Sequence, residues 1–253
     1  MTATSRSPAQ AKSAKPAKSA KSPRRRTTLL RRLVSLAYLL PFALIVLFLV
    51  LAIVYSQTRP PSMLMLGRWL TGQTVDRRWV GLNEISRNLI AAVVTSEDAR
   101  FCSHHGVDWI EMRNAIEDED NEGGPSRGAS TITMQTVKNL FLWNSHSFIR
   151  KGLEIPIALA LDQVWSKPRI LEVYLNIAEW GEGVFGAEAA ARQSFGKSTK
   201  DLTPREAALL AAALPNPKLR DARHPSRGHL RRAAAIQRLT SPDAEWLDCL
   251  PRR

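Results

Sequence analysis

From Leu33 to Thr58 the chain carries no charged side chain, and this run limits the fold more than any other feature. As a helix, "LVSLAYLLPFALIVLFLVLAIVY" is long enough to cross a hydrocarbon layer of roughly 30 Å, whereas the apolar core of a cleaved secretory signal spans about 7–15 residues. The sequence after it, "VYSQTRPPS", offers no small-x-small cleavage pattern. A buried hairpin of core helices would need a polar turn inside the run, and none is present. Pro41 allows a kink, which helices in lipid tolerate. Residues 33–56 therefore read as an uncleaved, single-pass transmembrane signal anchor.

The net charge of +13 first points to a nucleic-acid binder. Ten of the Lys and Arg residues, however, lie in residues 1–32, where there is no acid. Taking those ten from thirteen leaves only +3 for residues 33–253, too little for a nonspecific nucleic-acid surface. The Ala/Lys/Ser/Pro tail 1–32 cannot bury a core and reads as a disordered segment lying against anionic lipid. By the positive-inside rule it stays in the cytoplasm, and everything after about residue 57 faces outward. Cys102 and Cys249 lack CxxC spacing and make no disulfide framework; an oxidising space permits a bridge between them without requiring one.

"RPPSM" at 59–63 breaks the membrane helix, and residues 57–79 read as a juxtamembrane linker. The pattern is then helical nearly throughout residues 80–240, with a C-terminal tail at 241–253. Helical stretches are expected near 130–142, 148–165, 168–178 and 227–239. Another opens at "TPREAALLAAAL", where Thr203 is the N-cap, Pro204 takes the first position and Glu206 completes a capping box. "EDEDNEGGPSRG" (117–128) reads as a polar surface loop. No alternating run marks a long strand, so the outward part is mainly α.

"TSEDARFCSHHG" (95–106) gathers acids, histidines and a cysteine behind an apolar helix. His104 and His105 are adjacent and diverge by about 100° on a helix, unlike the i, i+4 pairs of zinc sites; the metal content stays unknown. The acids Glu117, Asp118, Glu119, Asp120 and Glu122 lack a calcium-loop pattern. "SFGK" (194–197) satisfies SxxK without the companion motifs of a serine nucleophile. Glu97 continues the apolar stripe of Leu89 and Val93, which makes it a candidate acid or base as well as an ordinary helix-end charge. "RKGLE" reads either as a helix salt bridge or as a cationic ledge for phosphate, with Glu154 fixing Arg150 and Lys151.

In order along the chain, "EDARFCSHHG", "RGASTITMQTVKNLF", "RKGLE", "KPRILEVYLN" and "GEGVFGAEAAARQSFGK" resemble the sequence blocks of the peptidoglycan glycosyltransferases. The resemblance covers roughly residues 80–220, and it implies a lysozyme-like, mainly α glycosyltransferase domain. It implies that Glu97 is the general base, with Asp98, Phe101 and His104 supporting it. Ser130, Thr131, Gln135, Lys138 and Asn139 match the block that contacts the donor's diphosphate and sugar. Arg150 and Lys151 match the cationic block, with Glu154 as the second essential carboxylate. Glu172, Tyr174 and Asn176 match a block that is mainly structural. Met134 and Ser194 depart from residues usual in the family, and His146 stands where many relatives have Arg, so no binding role is carried onto it.

The resemblance implies polymerisation of lipid II by an inverting transfer of the growing glycan chain to a 4-hydroxyl, releasing undecaprenyl diphosphate. It implies no required cofactor and allows a divalent cation, Mg or Mn, at the diphosphate. Lipid II, the glycan chain and membrane lipid are the implied partners, alongside other proteins of wall synthesis and division, and nucleic acid is not among them. The implied location is the bacterial inner membrane, with the N-terminus cytoplasmic and the catalytic domain periplasmic. Two rivals remain: a lysozyme-like lytic hydrolase, and a catalytically inactive scaffold for wall synthesis.

Overall fold

The computed structural model describes residues 23–122, 129–143 and 148–251. Two units are distinguished, the first reaching Leu47 and the second starting at Phe48. Helix α1 (Pro23–Gln57) is the first described element, and it takes in residues 23–32 of the tail expected to be disordered, because the apolar helix continues backward through them; residues 1–22 of that tail lie outside the described residues. Within its segment Val34–Gln57 an 18-residue stretch has a mean hydropathy of 2.9, and 6% of that stretch is buried. At 1.5 Å per residue those 24 residues extend about 36 Å, enough to cross a membrane. In the first unit the apolar side chains point outward, Leu36 and Phe42 among them, an arrangement that lipid favours and water does not.

The second unit begins with the end of α1. Ala52 is fully buried; its carbonyl accepts Trp165 Nε1–H at 2.8 Å. The Arg169 guanidinium donates to the carbonyls of Tyr55, at 2.8 Å, and of Thr58. A helix end leaves its last carbonyls without intrahelical donors, and Arg169 supplies them. Phe141 stacks on Tyr55 and meets Phe48 edge-on.

The segment expected as a linker is ordered. It contains α2 (Met63–Leu70), capped by the Ser62 hydroxyl accepting from Met65 N, and strand β1 (Asp76–Arg77). Arg68 ties α2 to Glu179 through an ion pair of 2.9 Å. Such a pair, largely removed from water, has no local sequence signature, which is why the stretch read as linker.

Helix α3 (Arg87–Glu97) follows, with Ser86 as N-cap. Leu89 to Val94 are all buried, so α3 is surrounded on every side rather than half-immersed along a stripe. Helix α4 (Trp109–Glu122) runs through the acids expected in a loop; residues 123–128, the rest of that stretch, and His146 lie outside the described residues. Next come α5 (Ile132–Phe141), α6 (Phe148–Val164) and α7 (Lys167–Ile177). Then follow strands β2 (Glu179–Gly181) and β3 (Val184–Phe185), α8 (Ala187–Phe195), α9 (Pro204–Ala213) and α10 (Arg227–Leu239). Thr203 and Glu206 form the capping box that the sequence predicts.

The strands make a small sheet in the order β1-β3-β2, parallel between β1 and β3 and antiparallel between β2 and β3. Strands of two or three residues show no alternation to read. Asn176 on α7 is fully buried and pairs with both backbone groups of Val80, which supports its structural assignment.

The C-terminal tail is also docked. Leu247 and Leu250 are buried in the common core. Arg87 donates to the carbonyls of Pro242 and Pro251, and Cys249 is disulfide-bonded to Cys102, 147 residues earlier. In the chain-entropy account, cross-linking so long a loop stabilises the fold by roughly 4–5 kcal/mol.

Candidate active site

Glu97 is the last residue of α3, where the helix dipole disfavours negative charge. Gln135 on α5 donates its amide N–H to Glu97 Oε2 at 3.0 Å. Glu97 Oε1 is buried and has no hydrogen-bond partner among the described residues. Burial raises the carboxyl's pKa above the ordinary range, and neighbouring Asp98 adds to the rise. The Gln135 bond and the charges of Arg232 and Lys138 oppose it. The group thus combines raised proton affinity with a vacant lone pair, at the edge of a cavity of about 300 Å³ that Ser130 and Thr131 also line.

Asp98 faces the other way. Its two oxygens accept from His104 Nε2 at 2.9 and 3.0 Å, and Oδ2 also accepts Ile132 N–H at 2.9 Å, pinning the start of α5. Phe101 is fully buried and meets the His104 ring edge-on. Gly106 closes the block at φ +82°; a Cβ there would stand 2.5 Å from the Ala158 carbonyl oxygen. Its own carbonyl accepts the Thr131 hydroxyl at 2.6 Å, while Thr131 Oγ1 caps α5 at Met134 N. Asp98, His104 and Asp108 stand close enough to hold an ion. Each already has protein partners, since Asp108 caps α4 and pairs with Arg100.

The cations come from α5 (Lys138) and from α6 (Arg150 and Lys151). Glu154 is buried and is engaged by Arg150, and by Lys151 at 3.6 Å. Lys151 also donates to Ser130 Oγ. Burial and the adjacent Arg150 lower the pKa values of both Lys138 and Lys151. Lys138 and Asn139 line a second cavity of about 370 Å³ with Gln135, Tyr174 and Trp143. Gln135 therefore borders this cavity while bonding to Glu97.

Residues 65–240 match the sequence profile of a family described as Transglycosylase. The chain belongs to the transglycosylase family. A biosynthetic peptidoglycan transglycosylase of Rhodopseudomonas palustris (strain HaA2) is 52% identical over 201 residues, 79% of this chain and 88% of the relative. Proteins of the same name from Rhizobium meliloti (strain 1021) and Brucella suis biovar 1 (strain 1330) are 51% and 49% identical. They match over 76% and 82% of this chain and 80% and 93% of their own.

In this transglycosylase Glu97, Ser130, Gln135, Lys138, Arg150 and Lys151 are joined by hydrogen bonds or mutual fields. Asp98, Phe101, His104 and Thr131 form the frame beneath them. Three further residues escaped the sequence reading as site groups. Tyr174 is fully enclosed, and its hydroxyl donates to Gln135 Oε1 at 3.0 Å; burial pushes the phenol's pKa well up, with the Glu97 and Asp98 charges adding to it. Arg220 and Arg232 place positive charge near Glu97 from beyond α9 and from α10. No spacing rule links either arginine to Glu97; only helix packing does. Met134 is fully buried in the core, and the α5 side chain that bonds to Glu97 is the next residue, Gln135. Lys197 of the SxxK match pairs with Glu206 at 2.8 Å, a structural role.

Proposed function

We propose that the chain polymerises peptidoglycan glycan strands from lipid II. Glu97 takes the proton of the incoming 4-hydroxyl through the vacant Oε1. The oxygen so activated bonds to the anomeric carbon of the growing chain with inversion, and the bond to diphosphate breaks with its electrons leaving on the lipid diphosphate. A diphosphate leaves as an anion, so it needs cations in place of a proton donor; Lys138, Arg150 and Lys151 supply them. Glu154 aligns Arg150 and Lys151, and Ser130 and Asn139 add hydrogen-bonding capacity. The single observation carrying this reading is a buried carboxylate with one free oxygen beside a row of lysine and arginine.

The donor set at the diphosphate position does not fit a resident divalent cation. It consists chiefly of ammonium and guanidinium groups, and its carboxylate, Glu154, is already engaged by two of them. The same engagement weighs against a lytic hydrolase, which would use a second carboxyl to protonate a leaving oxygen.

The anchor and basic tail support an inner-membrane protein with its domain in the periplasm. The Cys102–Cys249 bridge agrees, since such bonds persist in oxidising compartments. Donor and acceptor are both lipids, so a site tethered at the bilayer meets them in two dimensions.

Incubating lipid II with wild type and Glu97→Gln tests the reading. Wild type should lengthen glycan, and the variant should lose roughly 10²–10⁴-fold in rate with an unchanged circular dichroism spectrum. Retained synthesis in the variant would remove Glu97 from the mechanism, and shortening of finished glycan would favour the hydrolase.

A further inference from the structure

The disulfide joins the last segment of the chain to the loop that immediately follows the candidate base. Cys102 lies between Asp98 and His104, two residues that close this loop by bonding to each other. Asp98 in turn holds the first amide of α5, and α5 carries the Gln135 that bonds to Glu97. On the other side of the bridge, residues 241–251 hold two carbonyls on Arg87, the first residue of the helix that ends in Glu97. Buried Leu247 and Leu250 fasten the segment to the core. One strap therefore grips both the start of α3 and the loop beyond its end.

We propose that the C-terminal strap, closed by Cys102–Cys249, is a positioning device for Glu97, and that full turnover requires the bridge. The inference rests on the reading of Glu97 as the base. Ser103 and His105, on either side of His104, are exposed, and Cys102 is the covalent tie between this loop and the strap. Opening the bond removes the covalent tie, so the loop and the Asp98 contacts that it carries to His104 and to the Ile132 amide open more often. A shift on the order of 1 Å at a catalytic group costs up to about 100-fold in rate.

The test uses the full chain in detergent micelles, as oxidised wild type and as a variant carrying Cys102→Ser with Cys249→Ser. A third sample is wild type treated with a dithiol reductant, whose two thiols become a cyclic disulfide as the protein bond becomes two thiols. Amide hydrogen exchange is followed in peptides covering 94–104 and 130–135, with kcat and KM on lipid II measured well below the melting point of each sample. Opening the bridge should speed exchange at the Asp98 and Ile132 amides and lower kcat about tenfold, with KM held within about twofold. Unchanged exchange there, or unchanged kcat with only a lower Tm, would overturn the proposal and leave a stability staple. If the double variant does not fold, the reduced wild type is read by the same criteria. If oxidised wild type makes no glycan, the functional reading fails by itself, and the exchange data still decide whether the strap holds the Glu97 loop.

Discussion

Gln135 stands between Glu97 and Tyr174, donating a hydrogen bond from its amide N–H to the carboxylate and accepting one from the phenol O–H on its carbonyl oxygen, each at 3.0 Å. The buried tyrosine hydroxyl has one donor to place, which fixes which end of the Gln135 amide faces the glutamate. Orientation of the base is therefore set three residues deep.

Removing this bond should move the acid limb of the pH–rate profile. The Gln135 N–H favours the ionised form of Glu97, so Gln135→Ala raises the carboxyl's pKa further. A base works only when ionised, hence the variant should lose more activity at mildly acidic pH than at alkaline pH. A kcat/KM profile against pH checks it; a uniform loss at every pH would contradict the electrostatic role.

Glu97 should cost the fold stability in return for its chemistry. Its folded-state pKa lies above the unfolded value because burial penalises the charge. Between those two values the folded state binds more protons than the unfolded state, so stability falls as pH rises through that window. Glu97→Gln removes the penalty, and its Tm should exceed that of wild type at neutral pH, with the gap closing below the ordinary glutamate range. Thermal melts at the two pH values measure the difference.

The alkaline limb should report Lys138. Burial and Arg150 hold its pKa below the usual lysine range, so its charge is lost earlier than that of an exposed lysine as pH rises. Lys138→Arg keeps the charge, because a guanidinium does not deprotonate in this range. The variant's alkaline limb should therefore move to higher pH, whatever its maximal rate; an unmoved limb assigns the titration elsewhere.

Gly106→Ala should destabilise the whole catalytic block. The backbone there has positive φ, and the new methyl would meet the Ala158 carbonyl oxygen at 2.5 Å. Overpacking plus an unfavourable φ costs about 2–4 kcal/mol, which thermal or urea unfolding would resolve. A loss below about 0.5 kcal/mol would mean that α6 gives way easily.

Helix boundaries were legible where the signal is local. The Thr203–Pro204–Glu206 start and the stretches assigned to α5, α6, α7 and α10 lie within a few residues of their expected positions, because capping and apolar periodicity act over one or two turns. The stretch 117–122 was misread for the same reason: it is polar without breaking a helix, and Gly123, Gly124 and Pro125 lent their loop character to residues before them. The linker and tail were misread because what orders them is remote, namely Glu179 for Arg68 and Cys102 for Cys249.

By itself the sequence determined the apolar anchor, the helical class of the domain, and the identity of Glu97, Lys138, Arg150 and Lys151 as candidates, since chain order and residue type suffice for these. Only the tertiary structure decided that Glu97 has one oxygen held and one free, that Arg220 and Arg232 lie near enough for their charges to act on it, and that Cys249 is bonded to its loop. Proton affinity, hydrogen-bond completion and disulfide pairing depend on which groups meet in space and how far they lie from water. Those quantities arise from the packing of α3 against its neighbours, and no short window of sequence contains them.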